Sequence, residues 1–395
     1  MTHATTNILR RIFSISRREV GIYSRRPLFL FCLLLAPVIC VVFLVTLMKE
    51  GLPTELPAGI VDEDNTKISR TIARTIDALE ETDIRYRYTD FSEARKAMQR
   101  GEIYAFFYIP EGTTEKAISN RQPRVSFYTN EAYLVPGSML MKDMRTASEL
   151  SGLALTRENL YGHGATEDRA MGVIQPIVIE THPLNNPELD YSVYLNNILV
   201  PGILILLIML STAYTIGLEW KQGTQMQLYA MAGESPSVAL IGKLLPQTLI
   251  FIMMFILYDV YFYKIMHFPC NSGIWSMIAL GILTVFASQG FGVFFFGVFS
   301  GGMRIALCLC SLWGILSFSL AGFTYPVLAM SPVLKAASWL FPLRQYYLIY
   351  VNQALNGYPL AYVALPVAVL VLFALTPATM MWKYRQAFLK YKYKP

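Results

Sequence analysis

PLFLFCLLLAPVICVVFLVTLM, residues 27–48, carries no charge, and Arg25-Arg26 and Lys49 bracket it. A helix that crosses a bilayer needs about 20 mostly apolar residues, because every backbone group must find its partner inside a segment where water is absent. The run is longer than the roughly 7 to 15 apolar residues of a secretory signal. No small-x-small cleavage pattern precedes Lys49, so it reads as a retained first span. Working outward, further uncharged or nearly uncharged runs occupy residues 191–218, 244–263 (with Asp259 near the end), 274–299 before a Gly301-Gly302 turn, 305–324 and 362–382. Six spans are therefore predicted.

The 395 residues are 54% apolar and 15% charged, where a soluble domain has about 25% charged. Of the 27 acids, 23 fall within residues 49–193 beside 16 bases; the other 250 residues hold only Glu19, Glu219, Glu234 and Asp259 against 17 bases. A polar acidic block is thus set into an apolar basic frame, which excludes a single soluble globule, a disordered chain and a disulfide-stapled secreted domain. Arg10, Arg11, Arg17, Arg18, Arg25 and Arg26 precede the first span, and Lys383, Arg385, Lys390, Lys392 and Lys394 follow the last. An even number of spans puts both basic ends on one side, so both termini are expected in the cytoplasm and the acidic block outside. Cys32, Cys40, Cys308 and Cys310 fall in spans and Cys270 in a short turn, so no disulfide framework is expected.

At 100° per residue, Ile8, Leu9, Ile12, Phe13, Ile15, Val20, Ile22 and Tyr23 share one side of a leading helix, and Arg10, Arg11, Arg17 and Arg18 the other. Such a helix lies in the headgroup plane. Glu19 projects into the apolar half, which suits either a buried polar contact with a partner or other spans, or a simple solvated cap. In the outer block, residues 58–61, 84–88, 103–109 and 125–128 read as strands, and 68–79, 91–98 and 114–119 as helices. This alternation implies βαβ units around a largely parallel sheet, followed by a long helix over 139–160. Asp62, Glu63 and Asp64 form either a strand-to-helix turn with Asp64 or Asn65 as cap, or a cation site. His163 and His182 have no partner at ligand spacing, and no nucleophile and base stand paired, so no metal and no catalysis are expected.

Between the second and third spans the chain reads Gly217-Leu218-Glu219-Trp220-Lys221-Gln222-Gly223-Thr224, continues through Gln225 to Ala232, and closes on Gly233-Glu234-Ser235-Pro236 and Gly242-Lys243-Leu244. Gly223 suits the end of one helix and Thr224 the cap of another. Residues 225–231 are predicted to form a short helix at the inner surface with Leu228 and Tyr229 presented to the cytosol; the plain alternative is an intracellular turn. This segment resembles the Glu-x-x-x-Gly-Thr, Leu, Pro, Gly-Lys-Leu pattern of ABC type 2 export permeases, carried by Glu219, Gly223, Thr224, Leu228, Pro236, Gly242, Lys243 and Leu244. Arg18-Glu19 and Arg25-Arg26-Pro27 ahead of a span with Pro37 are similar to that family. So are Asn186-Pro187, Tyr191, Tyr194 and Pro201-Gly202, and also Gly322-Phe323, Tyr325-Pro326, Met330, Pro332, Trp339 and Phe341-Pro342. Trp220-Lys221-Gln222 departs from it, since members often carry more charge there.

The resemblance covers nearly the whole chain and implies an ABC type 2 exporter permease fold: a membrane protein of six transmembrane α-helices with an inserted extracytoplasmic α/β domain. The parts would be an interface helix (1–26), the first transmembrane helix (27–48), the outer domain (49–190), and spans two to six (191–395) with a coupling helix at about 221–234 and an outer re-entrant segment at about 324–358. It implies a half-channel that pairs with a second permease copy or a paralogue, in a bacterial cytoplasmic (inner) membrane. Glu219, Gly223, Thr224, Gln225, Leu228 and Tyr229 would couple it to an ABC ATPase subunit, Arg18 and Glu19 would mark the interface helix, and Tyr325, Pro326, Pro332, Trp339 and Pro342 the outer gate. The chain has no Gly-x-x-x-x-Gly-Lys-Ser/Thr loop, so ATP and Mg belong on the separate ATPase and no cofactor is expected here. A periplasmic adaptor would serve export across two membranes; no nucleic acid is expected.

Polar groups inside the spans have two readings each. Asn196, Asn197, Ser211, Thr212, Tyr214 and Thr215 either line a pathway or hydrogen-bond between helices. Asp259, with Lys264 five positions on, either pairs near the interface or serves a substrate or proton. Pro326, Pro332, Pro342 and Pro359 forbid one continuous helix, and Trp339, Tyr346, Tyr347 and Tyr350 belong either to an aromatic belt or to the gate. An ion-coupled transporter would need several buried acids and inverted repeats, which are not visible. A membrane-anchored receptor or scaffold is the other alternative. The function expected is the permease subunit of an ATP-driven exporter of hydrophobic or amphipathic molecules.

Overall fold

The structure is a computed structural model describing residues 2–49, 51–119, 121, 123–174, 182–187, 189–299 and 302–390. Gly301, Lys392 and Lys394 lie outside the described residues. The chain divides into two compact units, Met1–Gly51 with Pro183–Pro395, and Leu52–His182.

In the first unit the described residues hold 6 helices long and apolar enough to cross a membrane: Pro27–Leu47, Tyr191–Gln222, Pro236–Ile265, Ile274–Val298, Met303–Leu320 and Leu360–Lys390, spans one to six in chain order. Uncharged runs underestimate three of them, the sixth reaching Lys390. The second span continues through Glu219 to Gln222, and the third opens at Pro236, so that Gly242 and Lys243 are helical rather than part of a loop. Pro at the first helical position suits that start, because its missing N–H is one that a helix leaves unpaired anyway. The helices approach closely where glycine removes the side chain: a Cβ on Gly290 of span four would run into the Phe373 carbonyl of span six, and one on Gly292 would lie 2.9 Å from the Met209 carbonyl of span two. Small residues at helix crossings are the usual means of tight packing in a bilayer.

The leading helix, Thr2–Arg25, packs on the third span. Its apolar side is not one face but two stripes: Ile15, Ser16, Glu19 and Tyr23 are buried, while Leu9, Phe13 and Val20 stay exposed. Between spans five and six come a 3-10 turn at Val327–Ala329 and the helices Pro332–Ser338 and Pro342–Tyr350. The Trp313 ring stacks on Phe341 at 4.6 Å, and Arg344 Nη1 donates to the Ala321 carbonyl at 2.7 Å. Tyr346 and Tyr350 are buried, so they do not form a belt at the bundle surface.

The second unit holds a four-stranded sheet of order β2-β1-β3-β4, with β1 at Leu56–Asp62, β2 at Thr82–Tyr88, β3 at Ala105–Ile109 and β4 at Ser126–Thr129. β1 pairs in parallel with β2 and β3, and β4 runs antiparallel to β3. Alternation along the strands sends Ala58, Ile60 and Phe107 to one face, with Ala73 and Ile76 of helix Lys67–Asp77, and Val61 and Phe106 to the other, with Ala94 and Ala97 of helix Phe91–Gln99. One cap differs from expectation: Thr66, not Asp64 or Asn65, caps the first of these helices through Ser69, while Asp90 caps the second. The acidic turn is taken up locally: Asp62 accepts from Ser69 Oγ at 2.7 Å, and Asp64 from the Thr66 hydroxyl at 2.9 Å. Among the described residues no group of three or more His, Cys, Asp or Glu is placed to hold a metal.

Candidate functional site

Glu219 sits one turn from the end of the second span, where the helix closes on Gly223 at φ 69. The left-handed conformation costs glycine nothing extra, and it turns the backbone so that the N–H groups of Gly223 and Thr224 both reach the Glu219 carbonyl. Thr224 begins the connecting helix Gln225–Met231 but does not cap it with its side chain. Its hydroxyl instead donates to Glu219 Oε2 at 2.6 Å. One residue therefore gathers the end of a span and the start of the connecting helix.

Two cations from other elements converge on the same carboxylate. Lys243 Nζ of the third span donates to Glu219 Oε1 at 2.7 Å and to Glu19 Oε2 of the leading helix at 2.8 Å. Arg18 grips Glu219 with both guanidinium nitrogens, Nη1 to Oε1 and Nη2 to Oε2, each at 3.1 Å, and Nη1 also reaches Glu19 Oε1 at 3.1 Å. Glu19, Glu219 and Lys243 are all buried. Two cations thus face two carboxylates at a site where Arg18 alone keeps partial exposure, and removing either sign alone would leave a buried charge without compensation. Burial pushes the Glu19 carboxyl above its ordinary range, and the Lys243 ammonium pulls it back down. The leading helix is also tied to the third span through Ser16 Oγ to the Gly242 carbonyl at 2.8 Å, and a Cβ on Gly242 would lie 2.9 Å from Ile15 Cβ.

The connecting helix is held from the opposite side. Leu228 and Tyr229 are buried, the reverse of the expectation that they face the cytosol. Tyr229 stacks on Phe388 of span six at 5.1 Å, and Trp220 packs on the same ring at 5.0 Å while its Nε1 donates to the Ala387 carbonyl at 3.4 Å. The large apolar side chains left on the outward face are Met226 and Met231, with Gln227 and Ala230 beside them.

The remaining residues singled out from the sequence lie elsewhere. Tyr194, at the other end of the second span from Glu219, donates to the Phe323 carbonyl, which places the segment with Tyr325, Pro326, Pro332, Trp339 and Pro342 about 38 Å along that helix at 1.5 Å per residue. Tyr325, Pro326 and Pro332 are exposed there, Trp339 half-buried and Pro342 buried. Asn196 donates to Ser192 Oγ at 2.8 Å, and Asn197 Oδ1 accepts from Tyr258 at 3.0 Å and Tyr263 at 3.2 Å. Gln247 Nε2 of span three donates to Thr212 at 2.7 Å. Asn197 and Thr212 thus join spans two and three. Asp259 is buried, and neither carboxylate oxygen has a hydrogen-bond partner. It forms no ion pair with Lys264, which lies in the π-helical last turn of the span, Tyr261–Ile265. Lys243, which the sequence places in the motif closing the loop, is instead a buried helical residue of the Glu219 cluster. A lone lysine following a helix-starting proline inside an apolar pattern is the signal that marks it.

Residues 27–383 match a family model described as ABC-2 family transporter protein. A comparison with curated proteins finds no match.

Proposed function

We propose, from the premise that this chain belongs to the ABC-2 transporter family, that it is the permease subunit of an ATP-driven exporter and that the cluster around Glu219 receives the force. Membership makes it a multi-pass membrane component of transport that works with an ABC ATPase subunit. The finer reading is a dimer, with a second copy or a paralogue, whose connecting helix docks on the ATPase at the cytoplasmic side, where ATP and Mg are bound by the partner. The unit Leu52–His182 then stands outside the cytoplasm, where a periplasmic adaptor can reach it, and the segment with Tyr325 and Pro326 closes the outer end. The cargo is hydrophobic or amphipathic.

The observation that supports this reading is the convergence on Glu219 of the leading helix, span two, span three and the connecting helix. A displacement of the connecting helix reaches Glu219 of span two through the Thr224 hydroxyl, the leading helix and span three through the ion pairs of Glu219, and span six through Tyr229 and Phe388. A packed, charge-paired node moves as a body rather than deforming, which is what transmission over a helix length requires.

Co-purification with the ATPase encoded beside this chain tests the reading. A complex of two permeases and two ATPases with ATP hydrolysis is expected. Met226→Glu changes only the outward face of the connecting helix, so it is expected to leave the chain folded and to lower ATPase association at least tenfold. Normal folding with unchanged association would remove the connecting helix from the coupling role, and a chain that never binds an ATPase would sink the exporter reading.

A further inference from the structure

A groove of about 410 Å³ opens on the side of the bundle between spans three, four and six, lined by Leu244 and Leu245, Phe286 and Gln289, and Pro377 and Met381 among others. Clefts of a few hundred cubic ångströms, mostly apolar with a small number of polar groups, are the usual form of a small-molecule site. Ile241 and Leu249 at its edge are more than half exposed. The buried polar side chains of its wall are Gln289 and Thr248, each only 6% exposed, with Ser237 exposed at the rim. Gln289 Oε1 accepts from the Thr248 hydroxyl at 2.9 Å, while Nε2 has no partner. An amide donor without an acceptor in apolar surroundings is costly to maintain, and a bilayer interior offers no water to meet it.

Depth narrows the chemistry. Gln289 lies nine residues from the Val298 end of its helix, about 13 Å at 1.5 Å per residue. That is near the midplane of a hydrocarbon core about 30 Å thick. The ester oxygens of an ordinary phospholipid stay at the interface, so they do not reach it.

We propose that this groove binds an amphiphile dissolved in the bilayer, whose hydrocarbon chain lies against the apolar walls and whose mid-chain oxygen accepts from Gln289 Nε2. The molecule enters sideways from the membrane. The site uses none of the residues that gather at Glu219, so it stands or falls separately from the coupling reading.

Stearic acid carrying a nitroxide near the middle of its chain is a direct probe, because the nitroxide oxygen is an acceptor at the right depth. With the full chain in lipid nanodiscs, electron paramagnetic resonance is expected to show an immobilised component for this probe and none for stearic acid labelled near its carboxyl end. Gln289→Leu, close in size, should weaken binding of the mid-chain probe about tenfold, the order of one hydrogen bond. Leu249→Trp, which fills the groove and leaves the amide intact, should abolish it, and this variant carries the test if the first fails to fold. Equal immobilisation of both probes, wild-type binding by both variants, or quantitative cross-linking of two copies through Leu249→Cys would each overturn the proposal.

Discussion

Lys243 and Glu19 show what a single buried side chain decides here. Each is almost fully buried, and each satisfies a charge carried by another element. Deleting one member of such a buried set leaves its partner uncompensated at a cost of about 3–5 kcal/mol. Glu219→Ala, which leaves Arg18 and Lys243 to share Glu19 alone, is therefore expected to lower the melting temperature of the purified chain sharply, read by intrinsic fluorescence. Lys243→Met and Glu19→Gln should each destabilise, yet their combination should cost less than the two separately, with a coupling of about 1–3 kcal/mol. Strictly additive losses would show that the 2.8 Å contact does not bind the leading helix to span three. Glu19 was legible as an anomaly, because an acid on an apolar helical face asks for a partner. Which partner it finds was not, since Lys243 lies 224 residues away in the chain.

At the scale of elements, the connecting helix and its flanking turn carry the argument. Gly223 holds φ 69, and a side chain there must adopt the left-handed conformation at about 1–2 kcal/mol. Gly223→Val is expected to loosen the turn, so that limited proteolysis cuts between Gln222 and Gln225 in the variant but not in the parent chain. Equal resistance would mean that the turn does not depend on glycine. The short helix itself was predicted over its observed residues, because Gly and Thr mark its start locally. Its orientation was not, because seven residues make only two turns and either face can be buried. The Trp220 and Phe388 rings, which arrive from spans two and six, select the face with Leu228 and Tyr229. The same limit applied to the leading helix, whose apolar side divided once span three covered part of it.

For the molecule as a whole, the acidic block and the apolar frame are separate compact units. Each has its own core, so replacing residues 52–182 by a short flexible linker is expected to leave the remainder folded and membrane-inserted, measured as a monodisperse peak in detergent with an unchanged fluorescence melt. Aggregation of the shortened chain would show that the spans need the sheet unit to fold. Hydropathy and charge counted along the chain were enough for the number and order of the spans and the inserted block of strands and helices, and short residue motifs carried the resemblance to the family that residues 27–383 match. Those properties depend on neighbours within a helix or strand length, which any window of sequence contains. The pairing of Arg18, Glu19, Glu219 and Lys243, the burial of Tyr229, the isolation of Asp259 and the unmet amide of Gln289 belong to the tertiary structure alone. Each arises from helices distant in sequence meeting at close range, where the cost of an unpaired polar group, and not the local pattern, selects the contact.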